Sequence, residues 1–151
     1  MDRDYSPEDI VVSAGRLDVA TSGLVVALAH AVGVSVPELI ALEHLDSDGS
    51  LGPSEMARRL QMTSGAMTAL LDRLERDGYV RREPHPHDRR RVLLRRTAKA
   101  DEDLSEETAR IAAEVLALAG ELSPEERRVA GRFLDGLTEI AELNAAQACE
   151  E

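Results

Sequence analysis

The sequence predicts a mainly α chain of the α+β kind, with long helices at both ends, two short helices between them and one β-hairpin. Three observations carry this prediction. Apolar residues recur at alternating spacings of three and four through the first and last thirds of the 151 residues. In the middle, two short helical patterns are joined by a brief turn. Immediately after them, two aliphatic runs flank a polar stretch broken by prolines, the pattern of a hairpin.

Residues 6–32 read as one long helix. Ser6 is placed to cap it, Pro7 suits the first helical position, and Asp9 completes a Ser-x-x-Asp start. Ile10, Ala14, Leu17, Thr21, Leu24, Leu28 and Ala31 form its stripe, and Gly33 stops it. The next helix has Ser35 as its cap, Pro37 in its first turn, and Leu39, Leu42 and Leu45 inside; Asp46-Ser47-Asp48-Gly49-Ser50 reads as a loop. Residues 53–61 are a short helix burying Met56, Ala57 and Leu60. A second helix opens at Thr63, buries Met67, Leu70, Leu71 and Leu74, and ends before Gly78.

Tyr79–Glu83 and Arg91–Arg96 read as the two strands, with Pro84-His85-Pro86-His87-Asp88 as their tip. The unit as a whole is a helix-turn-helix with a wing. Thr97 caps a further helix whose Leu104, Ile111, Val115 and Leu118 face one way. Ser123-Pro124-Glu125-Glu126 starts the last helix, whose apolar face is Val129, Ala130, Phe133, Leu134, Leu137 and Ile140. The chain is read as a single domain, 1–151, with a winged helix-turn-helix lobe at 36–96 and dimerisation helices at 6–33 and 97–147. One winged unit cannot cover three long apolar stripes, so the terminal helices are expected to pack together and against a second copy, as a homodimer rather than a monomeric bundle.

With 43% hydrophobic and 31% charged residues, the chain lies in the globular range and is long enough for one real core. Its single cysteine, Cys149, excludes a disulfide framework and any multi-cysteine metal cluster; a frayed thiol in the acidic tail is expected. No apolar run approaches the roughly 18 residues of a membrane span, and Met1-Asp2-Arg3-Asp4 does not open a signal peptide. A cytoplasmic protein without membrane contact is therefore expected. Tyr5, Tyr79 and Phe133 are the only aromatics, which argues against base stacking on aromatic platforms.

The net charge of −11 conceals a strong segregation. Residues 1–51 carry −7 and residues 101–151 carry −10, whereas residues 52–100 carry +6, with eleven arginines and one lysine. A basic insert between acidic flanks draws anions locally whatever the total.

The helix from Thr63 turns Ser64, Gly65, Thr68, Ala69, Asp72, Arg73 and Arg76 away from its buried side. Small and hydroxylated residues in the first two turns let such a helix approach a major groove, with Ser64, Gly65 and Thr68 meeting base edges and the basic residues nearer phosphates. Thr68 also suits a thymine methyl. Arg89, Arg90 and Arg91 follow the hairpin tip, where adjacent guanidiniums repel one another unless they meet an anion such as a narrow minor groove. Asp88 is placed to hold one of them. Arg58, Arg59, Arg81, Arg82, Arg95 and Arg96 read as phosphate anchors or plain surface. His85 and His87 make too few ligands for a metal site, and no metal or other cofactor is expected; His30 and His44 are placed to line an effector crevice. No catalytic motif is present, so an enzyme is not expected.

This order of elements resembles the MarR family of bacterial transcriptional regulators across essentially the full chain. The resemblance is most specific over Leu70-Leu71-Asp72-Arg73-Leu74-Glu75-Arg76-Asp77-Gly78-Tyr79-Val80, followed by Asp88-Arg89-Arg90-Arg91 and Thr97. It implies a homodimer that binds a pseudo-palindromic operator in double-stranded DNA, commonly represses, and is often released by a small anionic or phenolic effector. It maps the groove-reading positions onto Ser64, Gly65, Ala66, Thr68 and Ala69 and the wing arginine onto Arg90, with Arg89 beside it. Ala69 replaces a longer polar or basic side chain, Gln61 replaces the usual turn glycine, and the N-terminal cysteine used for oxidation sensing in some members is missing. The competing reading is a winged-helix protein-interaction module, or a regulator without a releasing ligand, to which the acidic total and the bland reading face point.

Overall fold

The computed structural model describes residues 4–147. In order, the elements are α1 (Pro7–Val32), α2 (Val36–Asp48), α3 (Pro53–Arg59), α4 (Ser64–Arg76), β1 (Val80–His85), β2 (Asp88–Arg96), α5 (Ala98–Gly120) and α6 (Pro124–Gln147). The chain divides into two compact units, Met1–Leu104 and Ser105–Glu151. Cys149 lies outside the described residues.

Local chemistry explains the helix starts. The Ser6 hydroxyl accepts the Asp9 N–H at 3.2 Å while Asp9 accepts the Ser6 N–H at 3.1 Å. Gly33, at φ +78°, terminates α1. At α2 the Glu38 carboxylate accepts both the Ser35 N–H and its hydroxyl, at 2.8 and 2.7 Å. The Thr63 hydroxyl accepts the Ala66 N–H at 3.3 Å and so caps α4.

The core of the first unit joins Leu28 and Ala29 of α1 to Leu39, Ala41, Leu42 and Leu45 of α2 and Met56 of α3. Met67, Leu70, Leu71 and Leu74 of α4 close it from another side, with Val80 and Leu94 of the hairpin and Ala100 and Leu104 of α5. The buried side expected of α4 is the buried side found, which fixes its opposite face outward.

Three boundaries differ from the expectation. Asp46, Ser47 and Asp48 continue α2 instead of forming a loop, because Arg96 pairs with Asp46 at 3.0 Å. The helix expected over 53–61 ends at Arg59, and Gln61 adopts φ +53°, the only positive φ outside glycine among the described residues. That left-handed backbone costs a non-glycine residue roughly 1 kcal/mol. Finally, the hairpin tip is only Pro86-His87, with Pro84 inside β1 opposite Val92. Proline is tolerated there because β1 has no partner on its other edge. β2, by contrast, is flanked on its far side by Leu51, which exchanges backbone hydrogen bonds with Leu94 at 2.7 and 3.4 Å.

The second unit is different in kind. No described residue beyond Leu104 is buried. Val115, Leu116 and Leu118 of α5 are exposed, as are Val129, Phe133, Leu134, Ile140 and Leu143 of α6. On α1, in the first unit, Val11, Val12, Leu17, Val19 and Val26 are exposed as well. Although interrupted by Arg16 and Asp18, α1 is long and apolar enough to cross a bilayer by length and composition, a test that helices of soluble proteins also pass.

Candidate nucleic-acid interface

Capped by Thr63 and anchored by four buried apolar side chains, α4 presents Ser64, Gly65, Ala66, Thr68 and Ala69 to solvent. A Cβ added at Gly65 would meet nothing within 4 Å, so the fold itself does not require glycine there. The absence of a side chain instead leaves the helix end open to close approach. The Thr68 hydroxyl donates to the Ser64 carbonyl at 2.9 Å.

The wing sits beside α4. Arg82 spans Asp72 and Glu75 of α4 at 2.7 and 2.6 Å, tying β1 to the helix. Tyr79, at the wing's base, donates its hydroxyl proton to the Val32 carbonyl at 3.3 Å. Its ring carries the Lys99 ammonium 3.5 Å from the centroid. The hydrogen bond from Lys99 to Asp103 at 2.7 Å, together with the Tyr79 phenol beside it, raises the lysine's pKa. Thr97 closes the wing by donating to the Gly78 carbonyl at 2.6 Å, and its hydroxyl accepts the Ala100 N–H at 3.3 Å.

Pairing between the strands is regular from Val80–Arg96 to Pro84–Val92, then jumps so that His85 faces Asp88. Arg89, Arg90 and Arg91 fall in that jump, without partners on β1. The backbone thus carries these arginines as an irregularity next to the tip. Among the described residues Asp88 pairs with no guanidinium, although its placement suggested one; it accepts the Arg90 backbone N–H at 3.0 Å. The Arg89 side chain lies outside the description.

The other arginines of the basic segment are engaged within the protein. Arg58 and Arg59 hold Glu55, at 2.6 and 2.9 Å, and their hydrogen bonds bring its pKa down to about 2. Arg81 and Arg95 share Glu83, at 2.8 and 2.7 Å, and Arg76 pairs with Asp77 at 3.2 Å. Arg96, nearly buried, spans Asp46 and Asp101. Among the described residues, Arg90 and Arg91 are the exposed arginines of this segment that have no carboxylate partner. Arg58, Arg59, Arg81, Arg82, Arg95 and Arg96, read as phosphate anchors or plain surface, thus make ion pairs within the chain, whereas Arg90 and Arg91 on the wing make none among the described residues.

Arg73 is half-exposed, and its Nε donates to Glu38 Oε1 at 2.7 Å. Glu38 is only 7% exposed. Burial pushes its pKa up, but the Ser35 bonds and Arg73 outweigh that and hold it below the ordinary glutamate value. This contact joins residues 35 apart in sequence, and the one sequence signal at Glu38 is the Ser35-x-x-Glu38 spacing of a capping box. His30 is exposed on α1 and His44 half-buried on α2; neither side chain makes a hydrogen bond or ion pair among the described residues. At the wing tip, His85 Nδ1 accepts the His87 N–H at 3.2 Å.

Residues 32–91, which span this surface, match the family model described as MarR family. The HTH-type transcriptional regulator YcgE of Bacillus subtilis is 40% identical over 68 residues, covering 45% of this chain and 44% of that protein. The HTH-type transcriptional repressor MdtR of the same organism is 32% identical over 114 residues, covering 76% of this chain and 64% of its own length. The matched stretches thus span between 44% and 64% of these relatives. Among solved structures, Streptococcus pneumoniae FabT in complex with DNA superposes with a TM-score of 0.64 at 26% identity, over 87% of this chain and 95% of that one. A capped helix with a buried apolar side, a hairpin wing tied to it and this concordance of sequence and backbone lead to one assignment: over residues 32–91 the chain matches the MarR family, and its backbone is similar to that of a winged helix-turn-helix protein seen bound to DNA.

Proposed function

We propose that the protein is a homodimeric, sequence-specific DNA-binding transcriptional regulator, acting as a repressor. The observation that carries this reading is the pairing of two features in one unit. One is a capped helix whose exposed first turns carry only small side chains; the other is a wing carrying the arginines left without carboxylates. α4 suits the major groove, and the wing arginines suit the adjacent minor groove. DNA bound to FabT and the repressor name of MdtR support the same reading. Two copies, joined through the apolar residues that α1, α5 and α6 leave exposed, would present their α4 helices to half-sites about one helical turn, ~34–36 Å, apart. A cytoplasmic location follows from this role.

Arg90→Ala tests the reading. Each phosphate neutralised on duplex DNA contributes about 0.9 to the slope of log affinity against log salt, so losing one guanidinium from each of two wings is expected to flatten the slope by about 2. Fluorescence anisotropy of a labelled duplex over a salt series reads this directly. An unchanged slope and affinity would remove the wing from the mechanism. Release by a small anionic or phenolic compound extends the proposal, and loss of anisotropy on adding such compounds to the complex is its readout.

A further inference from the structure

We infer that Thr68 is a specificity-determining residue that reads a thymine methyl, so that each half-site carries an A·T pair beneath the second turn of α4. The inference rests on the DNA-binding reading above. Base edges in the major groove are ordinarily read by Arg or Lys on guanine, by Asn or Gln on adenine, and by Asp or Glu on cytosine. α4 offers none of these free. Its long polar side chains are Asp72 and Glu75, both held by Arg82, Arg73, held by Glu38, and Arg76, held by Asp77.

In its first two turns the exposed residues are Ser64, Gly65, Ala66, Thr68 and Ala69, without an amide or a charge among them. Thr68 is exposed, yet its hydroxyl proton is committed to the Ser64 carbonyl at 2.9 Å, inside the helix. What remains for a ligand is its methyl group and the oxygen lone pairs. A methyl finds its complement in the C5 methyl of thymine, the one apolar group that a base pair displays in the major groove. The wing agrees independently, because unpaired arginines there favour the narrow minor groove of A·T-rich DNA. Gln61 carries the amide nearest to α4, in the turn preceding it, and is the competing reader, of adenine N6 and N7.

The experiment uses the full-length protein and a duplex obtained by binding selection from a random library. Thymine is then replaced throughout by deoxyuridine, which removes only the methyl. Wild-type binding is expected to weaken about fourfold per half-site, the transfer cost of one methylene-sized group. Thr68→Ser keeps the hydroxyl and removes the side-chain methyl, and is expected to cost the same on the thymine duplex and nothing further on the uracil duplex. Thr68→Val keeps a methyl without the hydroxyl and is expected to bind like wild type. Replacing adenine by 7-deazaadenine is expected to leave affinity unchanged. The inference is overturned if the Thr68→Ser and uracil effects add independently, if Thr68→Val loses as much as Thr68→Ser, or if 7-deazaadenine weakens binding and uracil does not. A selection that yields no preferred duplex would instead overturn the DNA-binding reading, and this inference with it.

Discussion

Leu134→Glu is expected to convert the protein from dimer to monomer and to weaken operator binding on the order of a hundredfold, the loss of avidity when two half-sites are no longer engaged together. Leu134 is 52% exposed, and Phe133, beside it on α6, is 47% exposed. On an isolated chain, a glutamate there would be a surface substitution on a solvated helix, altering stability by no more than about 0.5 kcal/mol. In an interface between copies it must surrender its hydration without a partner, at a cost of several kcal/mol. The two situations therefore separate cleanly. Sedimentation equilibrium reads the mass and a thermal melt verifies the fold. A dimer that persists with undiminished operator affinity would show that this part of α6 is not the subunit contact.

The second large effect concerns Glu38. Glu38→Gln is expected to destabilise the protein by about 2 kcal/mol at neutral pH, since it weakens a charge-assisted hydrogen bond and leaves Arg73 without its counter-ion. For a chain of this size that corresponds to a fall in Tm of roughly 4–8 °C. The pH dependence follows from the direction of the shift. Glu38 titrates below 4.5 in the folded protein, so its ionised form contributes stability that is fully present above pH 4.5 and is lost as the pH falls through the lower, folded value. The gap between wild type and Glu38→Gln should accordingly narrow on going from pH 7 to pH 3.5, as measured by urea unfolding. Arg73→Gln should cost a similar amount, and the double variant little more than either, because both remove one contact. Equal stability at neutral pH, or a gap independent of pH, would show that the α2–α4 contact does not stabilise the fold.

The parts of the fold legible in the sequence are those in which local and tertiary preferences coincide. In α4, the Thr63 cap, the spacing of Met67, Leu70, Leu71 and Leu74 and the glycine after the helix all point to the same element, and the structure has it. Asp46-Ser47-Asp48-Gly49-Ser50 misled because its composition favours a loop, while the ion pair to Arg96, distant in sequence, holds the last turn of α2 together. Pro84 misled in a similar way. Proline breaks an interior strand but not an edge, and which strand lies at the edge is a tertiary fact. The exposed face of α4 was legible from the helical period alone. The state of the arginines was not. The sequence showed eleven of them in one segment, but only the folded chain brings Glu55, Glu83, Asp72, Glu75 and Asp101 to most of them and leaves Arg90 and Arg91 unpaired.

The central claim is that two copies of this chain read one DNA site through α4 and the wing. Repeated binding selection from a random duplex library, followed by sequencing of the retained pool, tests it most directly. An enriched inverted repeat is expected, with half-site centres about 10 base pairs apart and A·T pairs both beneath the helix and beneath the wing. A pool that remains random, or that converges on a single unrepeated element, would contradict it.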